Sequence, residues 1–336
     1  MVYIHVKKVG DTKYYTLRVA VRRKGKILTK DLENLGTSVE NINLDNLDKK
    51  YKELIRKSYK TLKTFLEENR YVEKIKKEKL KLNIFFSKEQ LEEIEAARLH
   101  FNTIFQRLDH LTQEEIYVLF LIKFAVSSTS IEGNTISLSQ AHKLLTKNTL
   151  PKDKTLREVY DLQNTQAVFF KLRTEMPNLS LEMIEQVHDA LLARIDVRGG
   201  YRTHDIHILG QPFKPSPGRY VRTDMKLLLE WYHRNETKLH PLALAFFFHH
   251  KLENIHPFSD GNGRTGRILL NHILLTHGYP PLLVPFKFRE EYLTNMSKAD
   301  KALARTALST DMVFYTPLFS FLTDQFVTTY WNTFLV

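Results

Sequence analysis

The sequence contains no cysteine. Disulfide bonds, thiolate metal sites and cysteine nucleophiles are therefore excluded. No apolar stretch reaches the roughly 18–20 residues that a bilayer-spanning helix needs, and the charged N-terminus lacks the apolar core of a signal peptide. We therefore expect a cytoplasmic location and no membrane partner. The length of 336 residues is sufficient for two domains.

The positive charge is concentrated in the N-terminal part of the chain. Residues 1–90 contain 23 Lys/Arg and 12 Asp/Glu, whereas residues 91–336 are almost neutral. An alternating pattern over residues 2–35 predicts about three antiparallel strands. Apolar residues three and four apart from Leu44 to about Leu82 predict one long helix. We predict a basic sheet and helix module over residues 1–90 and a second domain over residues 91–336.

The basic module has two interpretations. A basic sheet that carries aromatic residues can bind nucleic acid through phosphate contacts and stacking. A run of charge is also commonly a solvated face. We favour a solvated or protein-docking surface for residues 1–90, and nucleic-acid binding stays as the alternative.

The most informative segment runs from His256 to Arg267 and reads His-Pro-Phe-Ser-Asp-Gly-Asn-Gly-Arg-Thr-Gly-Arg. Its glycine-flanked turn precedes an apolar helical run, and the N-terminus of a helix exposes unpaired N–H groups that bind phosphate. Gly261 and Gly263 allow close approach of a phosphate and a backbone with positive φ. The segment is therefore predicted to bind an anion.

The other side chains of this segment suit phosphate chemistry. Arg264 and Arg267 share a helix face and can grip two phosphoryl groups. Asp260 is expected to hold a magnesium ion that bridges to the anion. Asn262 can donate to a phosphoryl oxygen. His256 has a side chain suited to accept a proton from a hydroxyl near neutral pH.

The whole segment resembles the signature of Fic-domain proteins at every defining position, and the resemblance covers about Leu111 to Phe326. It implies a mainly α-helical Fic-like core with a β-hairpin flap, preceded here by the small basic sheet and long helix. It also implies transfer of AMP from Mg-ATP to a hydroxyl of a target protein or of the chain itself.

The resemblance gives each signature residue a role. His256 would be the general base and Asp260 the Mg²⁺ ligand. The amides of Gly261, Asn262 and Gly263 would form the α-phosphate hole. The β- and γ-phosphates would be bound by Arg264 and Arg267.

A second segment resembles the inhibitory helix of Fic proteins. An apolar run over residues 116–126 leads to Ser128, Glu132 and Gly133, which predicts a helix over about residues 113–132 that ends at glycine. The resemblance implies that Glu132 pairs with Arg267 and blocks the position of the ATP γ-phosphate. In some relatives the same glutamate helps to remove AMP.

Residues 199–210 alternate and are bounded by glycines, which predicts a short hairpin. The resemblance makes this hairpin the flap that binds the target protein by backbone pairing, with contacts at Thr203, Ile208 and Gly210. Tyr292 resembles an aromatic residue of the family's adenine pocket, with a core tyrosine as the alternative.

Three further possibilities remain at this stage. The chain could be a nucleic-acid-binding regulator with a vestigial Fic core. It could also be a Fic enzyme that transfers another phosphate-bearing group. Many relatives pair up, so a homodimer is possible.

Overall fold

The computed structural model describes residues 1–23, 25–207, 214–303 and 308–335. It confirms the expected fold class, a mainly helical chain with a small N-terminal sheet. The strands and helices are β1 (Val2–Val9), β2 (Thr12–Arg23), β3 (Lys26–Gly36), α1 (Leu44–Ile55), α2 (Tyr59–Lys76), α3 (Lys88–Thr103), α4 (His110–Ile131), α5 (Leu138–Lys147), α6 (Leu156–Glu175), α7 (Leu181–Leu192), α8 (Val221–Asn235), α9 (Pro241–Ile255), α10 (Asn262–Thr276), α11 (Arg289–Leu303) and α12 (Met312–Thr333).

The N-terminal sheet is an antiparallel meander in the order β1-β2-β3. Strand β1 pairs with β2 from Val2↔Val19 to Val9↔Thr12, and β2 pairs with β3 from Tyr15↔Gly36 to Arg23↔Lys26. Alternate residues of β1 and β2 are buried against α1 and α2, because successive side chains of a strand point to opposite faces. The small core formed in this way contains Val2, Ile4, Tyr15, Leu17, Leu47, Ile55, Leu62 and Leu66.

The predicted long helix from Leu44 to Leu82 is wrong, because the chain breaks into α1 and α2 and leaves the helix at Lys76. Ser58 lies at the break and is buried, and its hydroxyl accepts a hydrogen bond of 3.1 Å from the backbone N–H of Val2. The break also brings Ile55 and Leu62 into the same small core. Docking of the helices under the sheet therefore overrides the continuous helical pattern of the sequence.

Helix α2 contributes to two cores. Its first half, with Leu62 and Leu66, packs under the sheet, whereas Tyr71 and Ile75 in its second half join the large core of the helical domain. The change in packing therefore falls inside α2, ahead of the predicted boundary near residue 90.

Helices α9 and α10 form the centre of the large core and pack against each other. Phe246, Phe247 and Phe248 are consecutive in α9 and all fully buried, so neighbouring elements cover this helix on several sides. A helix that is apolar all round is typical of such a central position. The six residues that connect α9 to α10 are therefore held at both ends by rigid elements.

Helix α4 corresponds to the predicted inhibitory helix and begins slightly earlier, at His110. Asp109 caps its N-terminus by accepting a hydrogen bond from the N–H of Thr112. At the other end Glu132 is the C-cap, and Gly133 follows with a φ of 103°. A left-handed glycine at this position ends a helix without steric strain.

Among the described residues, no helix combines the length and the apolar character needed to cross a membrane.

Burial along β2 gives a test of the small core. Leu17 is fully buried, whereas Val21 on the same strand is 53% exposed. We expect Leu17→Ala to lower the free energy of unfolding by about 2–5 kcal/mol, because it removes buried methyl groups and leaves a cavity. The matched variant Val21→Ala should change it by less than about 0.5 kcal/mol. Urea unfolding followed by circular dichroism measures both, and similar effects of the two variants would contradict this assignment of the core.

Candidate active site

The connection between α9 and α10 ends in a turn that only glycine adopts easily. Gly261 has a φ of 76° and precedes the first residue of α10. No side-chain hydrogen bond caps α10. The first N–H groups of a helix have no partner inside the helix and lie at the positive end of its dipole. The start of α10 therefore has the geometry on which the predicted anion site depends.

The second glycine of the signature, Gly263, does not have the predicted positive φ. Gly263 belongs to the helical α10, and positive φ is found at Gly261 but not at Gly263. A Cβ atom at Gly263 would collide with the carboxylate of Glu132 and the guanidinium of Arg267. This position therefore requires glycine for space rather than for backbone conformation.

Asn262 holds the loop together. Its side-chain oxygen accepts from the N–H of Phe258, and its amide nitrogen donates to the carbonyl of Phe258, both at 2.9 Å. The residue is 2% exposed. The sequence suggested a side chain that donates to phosphate, whereas the structure uses this amide to close the loop on itself.

His256 lies directly after α9 in a left-handed conformation, with φ 52° and ψ 63°. Its Nδ1 lies 3.2 Å from the carbonyl oxygen of Glu253. Since a carbonyl only accepts, Nδ1 carries the proton and Nε2 is left with a free lone pair. Burial lowers the pKa of His256 to about 4, so the ring is neutral at physiological pH. The residue is therefore held in the form that accepts a proton.

Arg202, which the sequence did not single out, anchors the backbone before the signature. It is buried, and its guanidinium donates to the carbonyls of His256 (2.8 Å), Ser216 (2.6 Å) and Ile255 (3.2 Å). Its backbone N–H donates to the carbonyl of Pro257 at 3.0 Å. One arginine thus fixes the strained position of His256 from outside the loop.

His188 supports the loop from the other side. Its Nε2 lies 3.1 Å from the carbonyl of Asp260, and its ring stacks on Phe258 with 3.8 Å between the centroids. His188 is fully buried. The loop is therefore sandwiched between α7 and the anchor at Arg202.

Arg267 is bound by the end of α4. Its Nε donates to the hydroxyl of Ser128 at 3.0 Å, and its Nη2 donates to the carbonyl of Ser128 at 2.9 Å and to the carboxylate of Glu132 at 2.7 Å. The Arg267 side chain is 6% exposed and that of Glu132 is 40% exposed. Burial alone would lower the pKa of Arg267, but the charge of Glu132 raises it above its usual value. The structure therefore brings together the three residues that the sequence paired.

Arg264 is bound by two carboxylates. Its Nη1 forms an ion pair with Asp161 of α6, and its Nη2 donates to Asp260 at 3.2 Å. Asn134, just after the end of α4, donates to the other oxygen of Asp161 at 3.3 Å. The guanidinium is almost fully buried. Asp161 therefore connects the turn after α4 to the first signature arginine.

Asp260 lies at the edge of the loop, where its side chain is one-third exposed. One oxygen accepts from the N–H of Gly261 at 2.6 Å, and the other accepts from Nη2 of Arg157 at 2.6 Å. Arg157 is itself 62% exposed. No cluster of three or more His, Cys, Asp or Glu side chains suitable for a metal occurs in the described part of the chain. Asp260 is therefore the single carboxylate that the signature offers to a cation.

A pocket of about 240 Å³ opens beside the loop, between the end of α4 and α11. Tyr292 lines it but is 2% exposed, and its hydroxyl lies 2.6 Å from Nε2 of His249. Asp300 accepts from Asn254 at 2.9 Å. Tyr292 is thus both a core residue and part of the pocket wall. The lining residues are Ile131, Glu132, Glu253, Asn254, His256, Gly263, Arg267, Arg289, Tyr292, Leu293, Met296, Ser297 and Asp300.

Glu253 contributes a buried carboxyl group to the same pocket. Burial raises its pKa to about 8, although the charge of Arg267 acts in the opposite direction. Its Oε1 has no hydrogen-bond partner in the described structure, and it lies 4.0 Å from Nδ1 of His249. Arg267 therefore has one hydrogen-bonded carboxyl partner, Glu132, and one carboxyl neighbour, Glu253, that burial favours in the neutral form.

The predicted flap is described only in part. Thr203 is exposed and lies in irregular chain, whereas Ile208 and Gly210 lie outside the described residues. Residues 199–207, the described part of the predicted hairpin, contain no strand. The backbone N–H of Arg202 in this stretch donates to the carbonyl of Pro257, and its side chain donates to the carbonyl of His256.

Part of the chain is similar to known proteins. Residues 178–274 match the model of the Fic/DOC family. This part of the chain is similar to a Fic domain. The chain is similar to the protein adenylyltransferase fic-1 of Caenorhabditis elegans, 30% identical over 207 residues that cover 58% of this chain and 40% of the relative. The protein adenylyltransferase Fic of Aedes aegypti is 31% identical over 191 residues, which cover 54% and 37%. The chain thus spans about two fifths of the length of these curated relatives.

Solved structures show the same Fic fold. A Fic domain containing signaling protein from Bacteroides thetaiotaomicron superimposes with a TM-score of 0.66 at 21% identity, over 72% of this chain and 96% of that chain. Fic-1 from Caenorhabditis elegans gives a TM-score of 0.61 at 24% identity, over 73% of this chain and 71% of that chain.

The buried ion pair between Arg264 and Asp161 gives a test of the stability of the helical domain. We expect Asp161→Ala to lower the free energy of unfolding by about 3 kcal/mol, because it removes a carboxylate from a buried guanidinium. The control Asp153→Ala removes a carboxylate that is 67% exposed, and should cost less than about 0.5 kcal/mol. Thermal unfolding of the two variants measures the difference. Equal losses of unfolding free energy in the two variants would show that the buried ion pair contributes no more to stability than an exposed carboxylate.

The proton state of His256 gives a second test. We expect its ring to stay neutral until the pH falls to about 4, because burial disfavours the charged form. An unfolded chain binds this proton nearer pH 6.5, so the group reduces the stability of the Fic domain as pH falls through that interval. NMR titration of the histidine rings measures the pKa, with His256→Asn to assign the signal. Titration near 6.5 would contradict the buried geometry.

Proposed function

We propose that this chain is an autoinhibited protein adenylyltransferase that transfers AMP from Mg-ATP to a hydroxyl side chain of a protein. The observation that carries the proposal is the position of Arg267. This arginine belongs to a phosphate-binding helix start, yet its guanidinium is bound by Ser128 and Glu132. The relatives named protein adenylyltransferase support the reaction class.

His256 is the proposed general base. Its free Nε2 accepts the proton of the attacking hydroxyl while the hydroxyl oxygen forms a bond to the α-phosphorus of ATP. The bond from the α-phosphorus to the oxygen that bridges to the β-phosphate breaks, and pyrophosphate leaves. The pKa of His256, lowered by burial to about 4, keeps the base unprotonated at neutral pH, although it also makes the base weak. Catalysis then depends on position and on charge stabilisation more than on base strength.

The start of α10 is the proposed phosphate site. The N–H groups after Gly261 point at the anion, and the dipole of the helix favours negative charge there. Arg264 already faces the same end of the helix and is held there by Asp161. A guanidinium held by a buried carboxylate loses little freedom when it binds a phosphoryl oxygen.

Asp260 is the proposed ligand of Mg²⁺. Magnesium in nucleotide sites is usually held by one or two carboxylates together with the phosphates, so a single carboxylate beside a phosphate cradle fits this ion. The magnesium ion would neutralise charge on the phosphates. The outer oxygen of Asp260 is bound by the exposed Arg157, which must give way to the ion.

Inhibition follows from the charge of Glu132. Its carboxylate accepts a hydrogen bond from Nη2 of Arg267. A triphosphate that bound the same guanidinium would be repelled by this negative charge. Gly263 leaves just enough room for the pair. ATP would therefore bind in a productive position only when the end of α4 moves or Glu132 is absent.

The target protein is expected to bind near the flap, at Thr203 and the following residues. The chain itself is a second possible acceptor, and a homodimer could place one copy's acceptor near the other copy's site. Removal of AMP by the same site, with Glu132 positioning water, stays part of the proposal.

The inhibition is tested by replacing Glu132. We expect Glu132→Gly to raise the rate of AMP transfer by about tenfold or more, because a charge-assisted hydrogen bond worth roughly 1.5–3 kcal/mol no longer holds Arg267. The measurement is labelling of cell-extract proteins, and of the chain itself, with ATP labelled at the α-phosphate. Equal rates in the wild type and the variant would refute the inhibition.

The double variant Glu132→Gly, His256→Ala is the matched control. It should bind the nucleotide and transfer nothing, and transfer at the rate of the single variant would refute the base. Mass spectrometry of the labelled protein separates AMP from phosphoryl, uridylyl or phosphocholine groups. Detection of a transferred group other than AMP would refute ATP as the AMP donor, but it would not refute the proposed phosphate site.

A further inference from the structure

The hairpin of β2 and β3 extends beyond the rest of the N-terminal sheet. The last residue of β2 that pairs with β1 is Val19, and the amino group of Met1 donates a hydrogen bond to the carbonyl of Ala20. Beyond that point β2 and β3 pair only with each other, as Val21↔Leu28, Arg22↔Ile27 and Arg23↔Lys26. We call these residues, Val21–Arg23 and Lys26–Leu28, the arm. With a rise of about 3.4 Å per residue, the paired part projects by roughly 10 Å.

The arm exposes apolar side chains on both of its faces. Val21 is 53% exposed, Leu28 54% and Ile27 70%. Val21 and Leu28 are directly opposite each other and share one face, whereas Ile27 lies opposite Arg22 on the other face. None of the three belongs to the small core of the described chain. A bare two-stranded ribbon is only marginally stable in water, so this one is poorly explained as a solvated surface.

The arm and the residues beside it carry a high density of positive charge. Residues 18–30 contain six Lys/Arg and no Asp/Glu. Arg18 is paired with Asp31, but no ion pair to Arg22, Lys26 or Lys30 is found in the described part of the chain. The cations lie on both strands, so both edges of the ribbon are positive.

We propose that the arm is a DNA-binding ribbon that enters the major groove of duplex DNA. That groove is about 12 Å wide and about 8.5 Å deep, and it admits a two-stranded ribbon of this length. Phosphates border both sides of the groove, which matches cations on both strands. The apolar residues between the cations can contact thymine methyl groups.

Other anionic partners fit the arm less well. The major groove of duplex RNA is too narrow and deep for side chains to read. An anionic membrane needs one apolar face turned toward the lipid, whereas Ile27 lies on the face opposite to Val21 and Leu28. This site is separate from the Fic signature and does not depend on AMP transfer.

The test compares two charge-matched variants of the full chain. The arm variant carries Arg22→Gln, Arg23→Gln, Lys26→Gln and Lys30→Gln. The control variant removes four exposed lysines of the Fic domain, by Lys143→Gln, Lys147→Gln, Lys171→Gln and Lys226→Gln. Both variants lose four positive charges. Arg22, Lys26 and Lys30 of the arm variant and the four control lysines are exposed, and substitutions at exposed positions rarely affect folding. Circular dichroism verifies that each variant keeps its secondary structure.

Binding of a short fluorescent DNA duplex is measured by anisotropy over a range of salt concentrations. We expect the wild type to bind at low salt, the arm variant to lose at least about tenfold in affinity, and the slope of log K against log salt to shrink by about 0.9 for each lost phosphate contact. The control should lose less than about threefold.

Three results would overturn the proposal. The first is absence of duplex binding at low salt, and the second is an equal loss in both variants. The third is tighter binding of single-stranded DNA, duplex RNA or anionic lipid vesicles than of duplex DNA. Unchanged AMP transfer by the arm variant would leave the proposed function intact. DNA binding by the arm and AMP transfer can therefore be refuted independently of each other.

Discussion

Two buried guanidinium groups on successive turns of one helix determine how the helical domain is assembled. Arg264 and Arg267 lie on α10 and are both nearly inaccessible to water. An unpaired charge in such a place costs several kcal/mol, so each needs a carboxylate from another part of the chain. Asp161 on α6 serves Arg264, and Glu132 at the end of α4 serves Arg267. The two arginines proposed to bind phosphate therefore also tie three helices together.

This arrangement would couple the binding of a phosphate by Arg264 and Arg267 to the position of α4. The end of that helix contacts Arg267 through Ser128 and Glu132, and the turn after it reaches Arg264 indirectly through Asn134 and Asp161. A phosphate that bound both arginines would replace interactions of the protein with itself. The fold fixes the positions of the two carboxylates. The free energy of replacing them by phosphate therefore depends on the position of the end of α4, which carries Glu132 and precedes Asn134. A change in α4 would therefore act on both arginines.

The signature loop shows how a strained backbone is maintained. His256 is held in a left-handed conformation that costs a non-glycine residue about 1 kcal/mol or more. Asn262 closes the loop from within, while Arg202 and His188 hold its carbonyls from outside. These hydrogen bonds offset the strain and place the free nitrogen of the histidine beside the helix start.

The sequence by itself determined the small basic sheet and the glycine-bounded turn before α10, because each depends on a local pattern. The helical core and the pairing of Glu132 with Arg267 were expected only from the family resemblance, since the two paired residues lie 135 positions apart. Only the tertiary structure decided the break between α1 and α2, the roles of Asp161 and Arg202, and the use of Asn262 inside the loop. Asp161 and Arg202 lie far from the signature in sequence, and a single sequence carries no signal for which distant carboxylate or arginine meets which buried group. Burial, which sets the pKa of His256 and the cost of an unpaired arginine, exists only once the chain has folded.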